Sequence, residues 1–449
     1  MKRILVLGAG KSSPSLISYL LDHSEEFDWQ VTVADLDQDL AAKQINGHPR
    51  GNAIQLDVND QAALDSLIEG SNIVVNLLLP RFQNLVAETC VRLGAHFVSA
   101  SYRTKEIRAL DVEAREKGLL LLNEMGLDPG IDLMSAMVII QRIHDAGGTL
   151  KKFISYGSGV AAPENKSNPF GYVITWNPYN VARAGGAGAQ FLQNGQIHLT
   201  PYHRLFKETW PVEVEGVGEM EAYANRDSIA YLEYFDLKEM ETMIRGTLRY
   251  PGWGKTWSAI IDLGLTTETL TVPDLANHSM KEIVEMLLPV DVKAVNGEIR
   301  DRVAAFLGLE STDEVLDKME FLGLFSDNLV GDRGETPADA LVHNLLEKLV
   351  LEPDKRDLVI LVHEMEVEHD KGSRREKIVS TFLSYGDPGG HSAMAKTVGL
   401  PAAIAVKMIA TNQLTLTGSY LPLTPEVYAP VLDELKQLGM LFLETTTKI

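Results

Sequence analysis

Over the first 125 residues the hydrophobic pattern alternates between short solid runs and spaced stripes. Residues 4–7 form an unbroken apolar run that stops at a glycine. Runs at 31–34, 53–56, 73–77, 97–99 and 119–122 repeat the theme. Between them, apolar residues recur at helical spacing, over 16–21, 84–93 and 105–117. Solid runs suit strands buried on both faces, and the stripes suit helices that cover them. The pattern therefore predicts a parallel sheet built from βαβ crossovers.

After Asp128-Pro129-Gly130 the pattern changes. Residues 131–145 read as a helix. Residues 152–156, 212–220, 358–369 and 376–383 alternate at period two, as strands with one buried face do. Asp370-Lys371-Gly372 between the last two is a turn signal and predicts a hairpin. Stripes over 280–288, 299–307, 312–322 and 336–350 predict helices beside this second sheet. The end of the chain, over 392–411 and 425–443, is helix-rich with a short apolar strand at 440–442. It is expected to return to the first domain. The fold class is α/β, with an α+β region and helical additions.

Composition narrows the class. A chain of 449 residues exceeds one ordinary core, so two or three domains are expected. The net charge of −21 repels phosphate backbones and anionic membranes, so neither nucleic acid nor membrane is an expected partner. An anionic substrate would need its own arginines. The single cysteine, Cys90, rules out a disulfide framework within the chain and fits a reducing, cytoplasmic setting. Cys90 lies on an apolar helix face without a base beside it, which favours a buried structural thiol. No signal-peptide pattern opens the sequence, and apolar stretches such as 134–140 are too short to span a membrane.

The first strand runs into Gly8-Ala9-Gly10-Lys11-Ser12-Ser13-Pro14. The Gly-Lys-Ser within it suggests a P-loop, but that loop needs a glycine five positions before Gly10, where Leu5 lies inside the strand. A dinucleotide turn fits better. Gly8 allows the sharp exit from the strand, Gly10 lets backbone approach a pyrophosphate, and the next helix offers its N-terminal N–H groups. Ser13 stands where the third glycine usually falls, and Pro14 suits a first helical turn. Asp35 ends the second strand, where a carboxylate accepts the adenosine ribose hydroxyls and repels a 2′-phosphate. Leu36 and Asp37 follow, with no arginine nearby, so NAD is expected in preference to NADP. Asp57 ends the third strand as an adenine contact or as a helix cap. Leu78 ends the fourth, beside the nicotinamide ribose.

Ligands of open α/β sheets sit at the carboxyl ends of the strands. That places Ser101 and Tyr102 after the fifth strand and Asp128 after the sixth among the candidates for a substrate pocket. Asp128-Pro129 reads equally well as the start of the next helix. In the second region, Arg226, Arg245 and Arg249 could grip carboxylates by paired hydrogen bonds, or sit in ordinary surface ion pairs. Glu364, Glu366 and Glu368 face away from His363 and His369 on one strand, so a charged strand face is expected there and no metal site. No nucleophilic triad is identifiable.

Taken in order, "VLGAG", "VTVAD", "QLDVND", "SASY", "NEMGLDPGID", "SYGSGVAAPE", "NRDS", "RGTLRYPGW" and "SAMAKTVGLP" resemble saccharopine dehydrogenases of the glutamate-forming type, also called saccharopine reductases. The resemblance runs from residue 4 to about residue 425. It implies a variant Rossmann domain at 1–129 and about 390–449, interrupted by an inserted α+β substrate-binding domain. That domain would take up about 130–270 and 350–390, with a helical portion at about 271–349. It implies NAD(P)-dependent interconversion of saccharopine and water with glutamate and α-aminoadipate semialdehyde, through an imine, and a homodimer as a family expectation. Carried over position by position, Ser101, Tyr102, Asp128, Arg226, Thr247 and Arg249 would face the substrate, and Arg245 is added on its spacing. Gly10, Lys11, Ser12, Ser13, Asp35, Asp57, Val58, Leu127, Asp128, Pro129 and Trp176 would face the cofactor, together with Gly8 and Leu78. Asp128 and Tyr102 are the candidates for holding the amine and moving protons. Two departures bear on cofactor and substrate preference: Asp35-Leu36 where NADP-using members resemble an arginine-bearing pattern, and Ala161 where the family has a proline. A polyamine Schiff-base reductase and a non-catalytic NAD(H)-sensing regulator are the alternatives.

Overall fold

The computed structural model describes residues 1–293, 297–332 and 334–449. Contacts divide the chain into two compact units. The first comprises 1–150, 367–376 and 382–449, and the second 151–366 and 377–381.

The first unit is built on a seven-stranded sheet. Its first six strands are β1 (Lys2–Leu7), β2 (Trp29–Asp35), β3 (Gly51–Gln55), β4 (Ile73–Asn76), β5 (His96–Ser99) and β6 (Leu120–Leu122). The order is 3-2-1-4-5-6, and a late strand, Gly418–Tyr420, is added beside β6. All the pairings are parallel. The strand order reverses between β1 and β4, which is where doubly wound sheets open a ligand crevice. Ile4, Leu5, Val6 and Leu7 are fully buried, as a two-faced core strand requires.

The helix Ile131–Asp145 falls in this unit, so the contact boundary lies at Leu150, not at the residue 129 drawn from the sequence. The stripe over 105–117 is broken into two short helices, Lys105–Ala109 and Asp111–Glu116. One helix, Ala393–Ala410, is long and apolar enough to cross a membrane, which corrects the view that every apolar stretch is too short. Most of it is buried, and its Gly399 lies so close to helix Pro14–Asp22 that an added Cβ would sit 3.0 Å from the Leu16 nitrogen. The final strand is Phe442–Lys448, longer and later than the one expected at 440–442.

The second unit carries a mixed sheet with strands in the order Trp210–Val214, Gly218–Ala224, Thr242–Arg249, Thr149–Ala161, Asp357–His369 and Arg374–Tyr385. Two of those strands form an antiparallel hairpin in which Val214 pairs with Gly218, so the segment read as one strand over 212–220 turns back on itself. A further hairpin, Ala189–Gln193 with Gln196–Thr200, lies off the main path and turns at Asn194-Gly195. Glu364 pairs with Lys377 at 2.7 Å and Glu366 with Lys152 at 2.9 Å, while His363 is fully buried. Helices Met280–Leu287, Ile299–Leu307, Glu314–Phe321 and Pro337–Lys348 belong to this unit, not to a separate portion.

Candidate functional site

The dinucleotide turn sits at the switch point of the first unit. The Gly8 N–H donates to the Ala34 carbonyl at 2.9 Å, and Leu77 N–H donates to the Leu7 carbonyl at 2.9 Å, so the turn is tied to β2 and β4 together. Gly8 adopts φ +104°, and a Cβ there would lie 3.2 Å from the Leu77 backbone. Only glycine makes this exit without strain. Gly10 differs, because a Cβ would meet nothing within 4 Å. Its backbone faces open space, as an approach to pyrophosphate requires.

Ser13 is buried, and its hydroxyl donates back to the Gly10 carbonyl at 2.8 Å. Helix Pro14–Asp22 has no side-chain cap and no acid in its first turn. Its N-terminal N–H groups and positive dipole end are thus left to an anion. Lys11 is exposed on the turn and Ser12 half-buried.

Asp35 is half-buried at the end of β2. Its Oδ2 accepts from the Ala9 N–H at 2.7 Å and its Oδ1 from the Asp37 N–H at 3.0 Å. The carboxylate clasps the glycine turn and keeps a second lone pair on each oxygen for ribose hydroxyls. Asp57 is exposed and accepts from the Asn59 N–H at 2.9 Å, while Asp60 caps the following helix. Leu78 packs on the core cluster and Val58 belongs to it. A glycine turn, an uncapped helix start and a ribose-height carboxylate fit a nicotinamide dinucleotide.

Further along the same sheet edge, the Tyr102 hydroxyl donates to Asp128 Oδ1 at 3.4 Å. Asp128 is held by a narrow loop. The Gly126 N–H donates to the Pro129 carbonyl at 3.1 Å and the Ile131 N–H to the Gly126 carbonyl at 2.9 Å. Leu127 and Pro129 are buried and Ser101 is half-buried. A buried amide fixes this edge, and sequence reasoning missed it. Gln83 accepts from the Ser99 hydroxyl at 2.9 Å and from Asn123 at 3.3 Å, and donates to the Tyr102 carbonyl at 2.7 Å. Its partners come from two segments distant from it in the chain, so no spacing announces it.

The second unit holds the arginines. Arg245, Thr247 and Arg249 alternate along strand Thr242–Arg249 and share one face. Both arginines are buried, and the Arg245 guanidinium lies 4.3 Å from the Tyr231 ring centre. Thr247 bonds to the Tyr223 phenol, whose pKa burial pushes up and the Arg249 charge draws back. Arg226 is exposed, with φ +54°. Trp176 is half-buried and donates its indole N–H to the Tyr172 hydroxyl at 2.9 Å.

Arg249 is only 5 % exposed, and among the described residues it forms no ion pair. Its Nη1 donates to the Leu248 carbonyl at 2.8 Å and to Ser158 Oγ at 3.4 Å, while its Nε has no partner. A buried, uncompensated guanidinium is costly unless an anion meets it.

Crevice, turn and carboxylate together define a dinucleotide-binding oxidoreductase. Family models agree at finer grain: the saccharopine dehydrogenase NADP binding domain matches residues 4–122 and the saccharopine dehydrogenase C-terminal domain residues 126–440. The chain belongs to the saccharopine dehydrogenase family. It is 34 % identical over 446 residues, covering 97 % of each chain, to the saccharopine dehydrogenase [NADP(+), L-glutamate-forming] of Pyricularia oryzae. To that of Saccharomyces cerevisiae it is 33 % identical over 459 residues, covering 99 % of each. The solved apo structure of the latter, saccharopine dehydrogenase (L-Glu forming), covers all of both chains with a TM-score of 0.88 and 32 % identity. These names carry NADP(+), so the preference for NAD expected from Asp35 finds no support in the relatives.

Proposed function

We propose that this chain interconverts saccharopine and water with L-glutamate and α-aminoadipate semialdehyde, using a nicotinamide dinucleotide. The supporting observation is Arg249, a buried guanidinium that forms no ion pair with the described residues. A guanidinium without an acidic partner suits the capture of a substrate carboxylate. A polyamine substrate would call for acids where Arg245 and Arg249 stand.

A bound nicotinamide supplies the hydride acceptor. The substrate carbon on the secondary amine becomes an imine carbon, water adds to it, and the carbinolamine collapses to amine and aldehyde. The chain's own groups hold the substrate and move protons. Arg249 orients a carboxylate. Tyr102 and Asp128, in mutual reach at 3.4 Å, hold the amine and relay its proton. Positioning of this kind contributes up to about 7–11 kcal/mol of barrier reduction at its extreme.

For the cofactor we infer NAD over NADP, against the relatives' names. Asp35, Asp37 and Asp39 line the end of β2 and the following helix start, and no basic residue lies between 35 and 40. A 2′-phosphate there would meet the carboxylates of Asp35, Asp37 and Asp39, with Lys11 on the neighbouring turn the nearby basic side chain. The test is a substrate panel of saccharopine and carboxynorspermidine with NAD and NADP, followed at the reduced-nicotinamide absorbance. Saccharopine-dependent reduction, faster with NAD, is expected. Turnover with the polyamine alone overturns the substrate reading, and better NADP kinetics overturn the cofactor reading.

A further inference from the structure

We propose that Tyr172 and Trp253 are positioning residues for Arg249: two aromatic rings, in place of an acidic partner, aim the guanidinium at a substrate carboxylate. The proposal rests on the reading of Arg249 given above. The Arg249 Cζ lies 4.9 Å from the Tyr172 ring centre and 5.2 Å from that of Trp253. Both rings are at most 1 % exposed, so the contact is dry. An electron-rich ring face attracts a cation without neutralising it. A carboxylate in the same place would hold the arginine equally well, but it would cancel the charge and compete with the incoming ligand.

Each ring is itself fixed. The Tyr172 hydroxyl accepts from Trp176 Nε1 at 2.9 Å, and its carbonyl accepts from Asn168 at 2.8 Å. Trp253 stacks on Trp257 at 4.7 Å and meets Phe170 edge-on at 5.6 Å. The guanidinium's other edge is tied down as well, since Nη1 is spent on the Leu248 carbonyl and Ser158. The two rings and these two acceptors therefore hold the guanidinium rigidly. Rigid support of this type is what makes a binding group effective.

The test is a double-mutant cycle on the full chain, reading the saccharopine KM, kcat and the cofactor Kd by fluorescence titration. Tyr172→Leu is expected to raise KM about tenfold, with cofactor affinity unchanged. Tyr172→Phe keeps the ring and should stay within about threefold of wild type. In an Arg249→Ala background, Tyr172→Leu should add less than about twofold, because the two act through one contact. Trp253→Leu against Trp253→Phe repeats the comparison if Tyr172→Leu does not fold. Losses that multiply independently in the double variant, or a Phe variant as impaired as Leu, overturn the proposal. An Arg249→Ala enzyme with unchanged KM overturns the carboxylate reading beneath it.

Discussion

At the scale of single residues, Asp35 serves two ends. It clasps the Ala9 N–H at 2.7 Å and offers its remaining lone pairs toward the ribose position. Hydrogen bonds to charged groups contribute about 1.5–3 kcal/mol. Asp35→Ala should therefore lower kcat/KM for NAD by about 10- to 100-fold, while NADP loses little or gains. Measuring the ratio of the two cofactors separates this from general damage to the turn, which would depress both alike. Arg249 presents the opposite balance, because its charge works against the fold. Arg249→Met keeps an apolar chain between Tyr172 and Trp253 and removes a buried charge that forms no ion pair with the described residues. Such replacements are often neutral or stabilising by about 1–4 kcal/mol. The variant should melt at or above the wild-type temperature without ligands and yet bind saccharopine at least about tenfold more weakly. A variant that melts well below wild type would show that the guanidinium is structural.

At the scale of elements, the glycines divide into those the fold needs and those a ligand needs. At Gly130, φ is +148° and a Cβ would sit 2.1 Å from the Gly126 carbonyl oxygen. Gly130→Ala must distort the loop that carries Asp128 into helix Ile131–Asp145, at a cost of about 2–3 kcal/mol or more. Gly10→Ala meets no neighbour, so it should melt like wild type and lose cofactor affinity. Thermal melts paired with cofactor titrations check the contrast, and the division fails if the two variants behave alike. The same elements explain what was legible in the sequence. Residues 4–7 announce a core strand because both faces are buried. Gly8 and Asp35 were readable because turn and strand end lie at fixed offsets along one βαβ unit. The strand Gly218–Ala224 reads as one with its neighbour because Glu213, Glu215 and Glu219 keep the polar positions in phase across the turn. The hairpin at Asn194-Gly195 carries a strong two-residue turn signal of its own. Gln83, Tyr172 and Trp253 carried none. Their roles depend on contacts between segments far apart in the chain, and periodicity does not encode such contacts.

At the scale of the whole molecule, acidity and buried phenols act together. The chain already carries a net charge of −21, so every further deprotonation adds self-repulsion. Burial holds Tyr156 up to about 12, with the Trp210 indole hydrogen bond pulling down and Glu364 pushing up. Tyr202, Tyr223 and Tyr428 are raised by burial as well. A phenol whose folded pKa lies above its unfolded value favours the folded state while it is neutral. Its contribution is full below the unfolded value near about 10 and is lost as pH rises through the folded value. The melting temperature should therefore hold from about pH 7 to 9 and fall steeply between about 10 and 12. Tyrosinate absorbance should rise together with unfolding, not ahead of it. Tyr156→Phe removes one of the titrating groups, and it should flatten the decline while leaving the Trp210 N–H without its acceptor, so its melting temperature at pH 7 should be lower. Phenolate signal appearing near pH 10 in a protein that is still folded would mean that these rings are open to solvent, contrary to the packing seen around Tyr156 and Tyr223.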